Sequence, residues 1–156
     1  MTDKFKTGKF TIVRDAQIDE GTVIWNHCNI FGCKIGRNCK IGSYVEIGPN
    51  SRIGNNCKIE AFAFICSGVT IEDEVFVGPH VTFINDKYPR AVGDWKLIPI
   101  IVKKGASIGA NATVLCGVTI SEKSLVAAGS IVTKDVAPNE WVAGNPARPI
   151  RKKKEI

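Results

Sequence analysis

Two histidines, an asparagine and one short charged segment hold most of the side chains that could do chemistry in this chain. Imidazole is the group best suited to take up a proton near neutral pH, and only His27 and His80 provide it. The segment Asn85-Asp86-Lys87-Tyr88-Pro89-Arg90 follows His80 closely, and Trp95 lies a little further on. His80 or Asp86 could receive a proton directly or through water. Lys87 and Arg90 could pair with a diphosphate or a carboxylate, and Tyr88 and Trp95 could cover a sugar or a base. Asn and Asp are also common turn formers, so their placement has to decide between the two roles. Metal chemistry fits poorly. A catalytic zinc wants three protein ligands and an open position, and two histidines without any Cys-x-x-Cys do not supply them.

A repeat sets where these residues stand. β-Branched aliphatics recur every sixth residue at Ile12, Ile18, Ile24 and Ile30, and again from Ile35 through Ile41, Ile47, Ile53, Ile59, Ile65 and Ile71 to Val77. The series resumes at Val102 and runs through Ile108, Val114, Ile120 and Val126 to Val132. A helix would repeat near 3.6 and a plain strand at 2, so a strict six points to a parallel β-helix. Three units close one triangular coil of about eighteen residues, and stacked coils rise by about 4.8 Å. One unit, Ile30 to Ile35, is five residues long. His27, Tyr44, Phe62 and His80 share the fourth position of their units at spacings of 17, 18 and 18, which predicts one column along a single edge. The pattern lapses over residues 84–101, a loop thrown out of the stack near the top of that column. Insertions of this kind often carry function. The repeat ends near Val136, and Pro138, Pro146 and Pro149 close the stack ahead of a short C-terminal helix.

Composition agrees with a single all-β domain over residues 1–156. The chain is 44% hydrophobic, too apolar for disorder, and its fifteen glycines against one methionine suit turns better than helices. No apolar run is long enough to insert in a membrane, and the first residues lack the core of a secretory signal, so a cytoplasmic location is expected. The net charge of +6 favours anionic partners, much of it in the tail from Arg148 to Lys154. That tail has no interleaved aromatics, which argues against nucleic acid. Cys39 and Cys57 lie eighteen residues apart and should stack as packing residues.

The repeat, together with Val142-Ala143-Gly144-Asn145-Pro146-Ala147-Arg148, resembles the hexapeptide-repeat acyltransferases over roughly residues 12–152. The resemblance implies a left-handed parallel β-helix and a homotrimer. Within that superfamily, Phe83 to Arg90 and Val102-Lys103-Lys104-Gly105-Ala106-Ser107-Ile108-Gly109 are similar to the nucleotide-linked 3-amino-sugar N-acetyltransferases. These use acetyl-CoA to acetylate the 3-amino group of a dTDP-3-amino-3,6-dideoxyhexose or of a UDP-3-amino-glucuronate, in surface polysaccharide synthesis. The chain departs from some dideoxyhexose enzymes at Phe62, where they carry a histidine, and its loop is shorter.

Amine acetylation needs an oriented neutral amine and donors for the oxyanion. For this chemistry Asn85 could orient the amine through its side-chain carbonyl, and His80 or Asp86 could receive the proton. His27, Tyr44 and Phe62 join Lys87, Tyr88, Arg90 and Trp95 on the substrate side. Backbone N–H groups at Gly105 or Ala106 would meet the oxyanion. Pantetheine would lie against Gly109, Ala110, Ala127 and Ala128 between subunits, and Lys134, Arg148 and Lys152 would meet the CoA phosphates. Two other readings are O-acetylation of a sugar, which needs a stronger base, and a non-catalytic scaffold that displays the loop.

Overall fold

The computed structural model describes residues 5–151 as a triangular β-solenoid of about eight turns, the left-handed parallel β-helix expected from the resemblance. Its strands are two or three residues long, because each hexad spends two residues in a strand and the rest at a corner. Within a strand, alternation sends one side chain in and the next one out. Strand Lys58–Ile59 shows the rule: Ile59 is buried and Lys58 faces solvent.

Each face of the prism is a sheet whose neighbours come from successive coils. The first face carries Lys6–Thr7, Val23–Ile24, Lys40–Ile41, Lys58–Ile59, Phe76–Val77, Ser107–Ile108, Leu125–Val126 and Trp141–Ala143. The second runs from Ile12–Arg14 through Asn29–Phe31, Glu46–Ile47, Phe64–Ile65, Thr82–Phe83 and Thr113–Val114 to Ile131–Val132. The third runs from Gln17–Ile18 to Thr119–Ile120. All stacked pairs are parallel and in register, as in Lys58↔Lys40 and Lys58↔Phe76. The core is therefore a column of Ile and Val, with Phe83 the largest fully buried side chain.

The inward series begins at Val13 and not at Ile12. Val13 pairs with Ile30, while Ile12 pairs with Asn29 and is 60% exposed. The five-residue unit consequently occurs twice, from Val13 to Ile18 and from Ile30 to Ile35, at the same corner of adjacent coils. The next coil carries a full six-residue unit at that corner, Ile47 to Ile53, so a short coil stacks in register on a longer one.

The thiols follow the frame. Cys39 Sγ donates to the Gly54 carbonyl at 3.1 Å and Cys57 Sγ to that of Glu72 at 3.0 Å. Burial pushes the Cys33 and Cys66 thiols up to about 11, so both are neutral packing groups near pH 7.

The C-terminal end differs from expectation. No helix occurs among the described residues. Trp141–Ala143 instead folds back antiparallel on Arg148–Pro149, closing the stack with a hairpin. Residues 152–156 lie outside the described residues.

The extruded loop leaves after Phe83 and the coil resumes with strand Ile100–Val102. Its root is pinned by the Ile98 N–H donating to the Asn85 carbonyl at 2.9 Å. Leu97 packs where a Cβ on Gly68 would stand, 2.7 Å from its Cδ2, so Gly68 at φ 82° is needed both for the turn and for this contact.

Candidate active site

Three groups of residues carry the chemistry, and they lie on different parts of the prism. The first is the corner between the first and second faces. His27, Tyr44, Phe62 and His80 form the expected column there, with ring centroids 4.8, 4.8 and 4.7 Å apart and planes within 5° of parallel. Phe10 extends it below His27 at 5.1 Å. The signal for Phe10 was present, since it precedes His27 by the same interval that separates His27 from Tyr44. All five residues hold left-handed backbone, φ 57° to 63°, which the tight corner imposes. Stacking makes up for part of that strain.

The stack limits what these rings can do. His27, Tyr44 and Phe62 each have both faces covered by a neighbouring ring, so a sugar or base can meet only their edges. His80 is the last ring, and its second face has no aromatic partner among the described residues.

The second group belongs to the loop, and it stands at the next corner rather than at the top of the ring column. Strand Thr82–Phe83 separates His80 from Asn85, a span of roughly 16 Å for five extended residues. Asn85 is partly buried, and its Nδ2 donates to the Ser67 carbonyl at 3.0 Å. That bond fixes the amide with Oδ1 left for a ligand. The register Phe83↔Val114 places Cys116 one coil above Asn85. Of the six cysteines, all free, it is the one not fully buried. Asp86 serves the turn: its Oδ1 accepts from the Tyr88 N–H at 3.0 Å.

Asp86, Lys87, Tyr88 and Trp95 share a pocket of about 280 Å3 with Asp94, Lys96 and Ile98. Arg90 is exposed on the loop and does not line it. Lys96 takes the place expected of Arg90, and no spacing rule in an irregular loop could have distinguished them.

The third group continues the ring corner upward. Gly109, Ala110, Ala127 and Ala128 occupy the two coils above His80, and the Gly129 N–H donates to the Ala110 carbonyl at 2.8 Å. The small side chains have a packing cause, because a Cβ on Gly109 would stand 2.5 Å from the Ala128 nitrogen. On the loop corner, two coils above Asn85 by the registers Phe83↔Val114 and Val114↔Val132, a pocket of about 240 Å3 brings Lys134 and Arg148 together with Asp135 and Glu140. Both carboxylates are engaged: Asp135 accepts from the Thr119 N–H at 2.7 Å and Glu140 from the Ala137 N–H at 3.0 Å. Lys152 lies outside the described residues.

Gly105 and Ala106 do not fit the role of oxyanion donors. They sit at the third corner, Ala106 fully buried. The Gly105 N–H already donates to Asp73 at 3.0 Å and the Ala106 N–H to Lys103 at 3.2 Å. The Ala110 and Ala128 N–H groups, on the ring corner itself, have no backbone partner among the described residues.

Comparison with known proteins agrees with this geometry. Residues 32–66 and 50–85 match the model for the bacterial transferase hexapeptide (six repeats), and residues 99–134 match the hexapeptide repeat of succinyl-transferase. A hexapeptide-repeat-containing acetyltransferase of Vibrio cholerae, complexed with acetyl coenzyme A, superposes with a TM-score of 0.71 at 30% identity. The match covers 80% of this chain and 73% of that one. The galactoside O-acetyltransferase of Escherichia coli is 41% identical over 88 residues, 53% of this chain and 43% of that enzyme. The dTDP-3-amino-3,6-dideoxy-alpha-D-galactopyranose 3-N-acetyltransferase of Aneurinibacillus thermoaerophilus is 54% identical over 48 residues, 31% of this chain and 25% of that enzyme. The chain thus spans less than half the length of these two curated relatives.

Proposed function

We propose that this chain, which belongs to the bacterial hexapeptide-repeat transferase family, is an N-acetyltransferase. It moves the acetyl group of acetyl-CoA to the 3-amino group of a nucleotide-linked amino sugar. A dTDP-3-amino-3,6-dideoxyhexose is the favoured acceptor and a UDP-3-amino-glucuronate the alternative. The observation that carries the reading is Asn85, held by Ser67 with its side-chain carbonyl free, at the root of a loop whose pocket offers two rings and two lysines. Rings suit a base or sugar, and lysines suit a diphosphate.

In this reading the Oδ1 atom of Asn85 accepts a hydrogen bond from the sugar amine and aims its lone pair at the thioester carbon. The oxyanion that forms is met by the Ala110 N–H. Amino-sugar amines are weak bases with a useful neutral fraction, so the proton they lose can pass to solvent or to His80 after attack. The acyl donor lies against Ala110 and Ala128 at the ring corner, and its phosphates reach Lys134 and Arg148 on the loop corner. No metal takes part.

Asn85 and His80 stand at different corners of one chain, at most roughly 16 Å apart, which supports a homotrimer in which the loop of one subunit faces the ring corner of the next. The enzyme would work in the cytoplasm. A CoA-release assay over dTDP-, UDP- and GDP-linked amino sugars, with a galactoside as hydroxyl control, tests the assignment. Release with the galactoside and none with any amino sugar would replace it by O-acetylation.

A further inference from the structure

The proposed acyl transfer uses none of the six thiols, and two of them stand in a relationship the others lack. Lys40 pairs with Lys58, so the residues before them, Cys39 and Cys57, sit one above the other at the third corner. No other cysteine has a thiol as its neighbour in the stack. Val45 stands above Cys28, Ser51 above Cys33 and Ile84 above Cys66, and Cys116 lies between Asn85 and Lys134. Cys39 and Cys57 are buried, with Thr22 below and Val75 above them in the same column.

Stacked coils rise by about 4.8 Å, within the range of roughly 4.4–6.8 Å that separates the Cα atoms of a disulfide. The two thiols also act on each other. Their mutual hydrogen bond is the largest influence on both, holding Cys39 below the ordinary thiol value and pushing Cys57 above it. One sulfur of the pair thus ionises ahead of the other and keeps a protonated thiol beside it. A thiolate with a second thiol in contact is the arrangement that peroxide turns into a disulfide.

We propose that Cys39 and Cys57 form an oxidative modification site, where a peroxide joins two successive coils through a disulfide. The Cys39 thiolate attacks one peroxide oxygen, the O–O bond breaks, and hydroxide leaves, so that Cys39 becomes a sulfenic acid. The Cys57 sulfur then displaces the sulfenic oxygen and gives up its proton. The S–S bond forms and water leaves. The proton that Cys39 shed on ionising joins the hydroxide, so the two sulfurs lose two electrons and one peroxide yields two waters. Burial makes the reaction slow, because the oxidant meets the pair only when the coils part locally. The bond then keeps those coils from parting again.

The test treats the full chain with hydrogen peroxide, alkylates the remaining thiols after denaturation, and maps the peptides by mass. The expected product has four alkylated cysteines and a Cys39–Cys57 cross-link. Its Tm should rise by roughly 5–10 °C, and dithiothreitol should reverse both changes. Cys39→Ser and Cys57→Ser keep a hydroxyl donor at the corner, as Thr22 and Ser51 already do. Each should abolish the rise in Tm, and Cys57→Ser should leave a sulfenic acid at Cys39 that dimedone traps. Six alkylated cysteines overturn the inference. So does a cross-link through Cys116 in place of this one, or oxidation of Cys39 and Cys57 to sulfonic acids without a bond between them. Should a serine variant fail to fold, the wild-type peptide map decides alone.

Discussion

The Asn85 side-chain N–H donates to the main-chain carbonyl of Ser67, 3.0 Å away in the coil below. A backbone acceptor cannot rotate away, so the amide is oriented before any substrate arrives.

Asn85→Ala should therefore lower kcat/KM by about 10²–10³-fold, the usual cost of removing a positioning or oxyanion-type hydrogen bond. CoA affinity should stay unchanged. His80→Ala should cost less, and the rise of rate with pH should persist without the imidazole. A dead His80 variant beside a near-normal Asn85 variant would reverse the two assignments.

The loop pocket makes a different prediction. Lys87→Ala and Lys96→Ala should raise KM for the sugar nucleotide far more than KM for acetyl-CoA. Arg90→Ala should do less, because Arg90 lies outside the pocket. Steady-state kinetics with each substrate varied in turn would check this, and equal effects on both KM values would make the loop a structural element.

Assembly should be inseparable from activity. Light scattering should find a trimer, and dilution below its association limit should abolish turnover. A fully active monomer would rule out a shared site.

Gly109→Ala should destabilise the fold with no change in side-chain chemistry, since the new Cβ would meet the Ala128 nitrogen at 2.5 Å. Overpacking of this kind costs about 1–3 kcal/mol, a fall of roughly 2–10 °C in Tm. An unchanged Tm would mean that the coil above can lift away.

A pH effect follows from the ion pair across the loop's return. Lys103 Nζ lies 2.9 Å from Glu72 Oε1, and the ammonium holds the Glu72 carboxyl below its ordinary range. A lowered carboxyl stabilises the fold above the unfolded-state pKa, and the contribution is lost as pH falls through the folded-state value. Wild type should thus exceed Glu72→Gln in Tm at neutral pH, and the gap should close in acid. The pair is solvent-exposed, so the gap will be small.

The prism was legible in the sequence because its rule is arithmetic: one inward aliphatic per hexad. The rule failed at Ile12 and Val13, two adjacent β-branched residues that only strand pairing could order. The ring column was equally legible, short of Phe10. The position of Asn85 relative to His80 was not, because nearness in sequence hid the strand Thr82–Phe83 that carries the chain from one corner to the next. Gly105 and Ala106 look as suitable for an oxyanion as Ala110 by type, but the Gly105 N–H is spent on Asp73 in the neighbouring coil and the Ala106 N–H on Lys103 in its own turn. The C-terminal hairpin depends on contacts with the last coil, which no local pattern announces.

The two stacked five-residue units bear on how such a chain can change length over generations. A single-codon deletion at a corner is absorbed there, since Ile30 to Ile35 stacks in register on the full unit from Ile47 to Ile53. Growth along the axis is confined to whole coils, because every strand must return to its own face. Insertions of arbitrary size survive only where they leave the stack sideways, as the segment after Phe83 does. New substrate preferences can therefore arise readily at that one exit, while the rest of the prism stays fixed in its count.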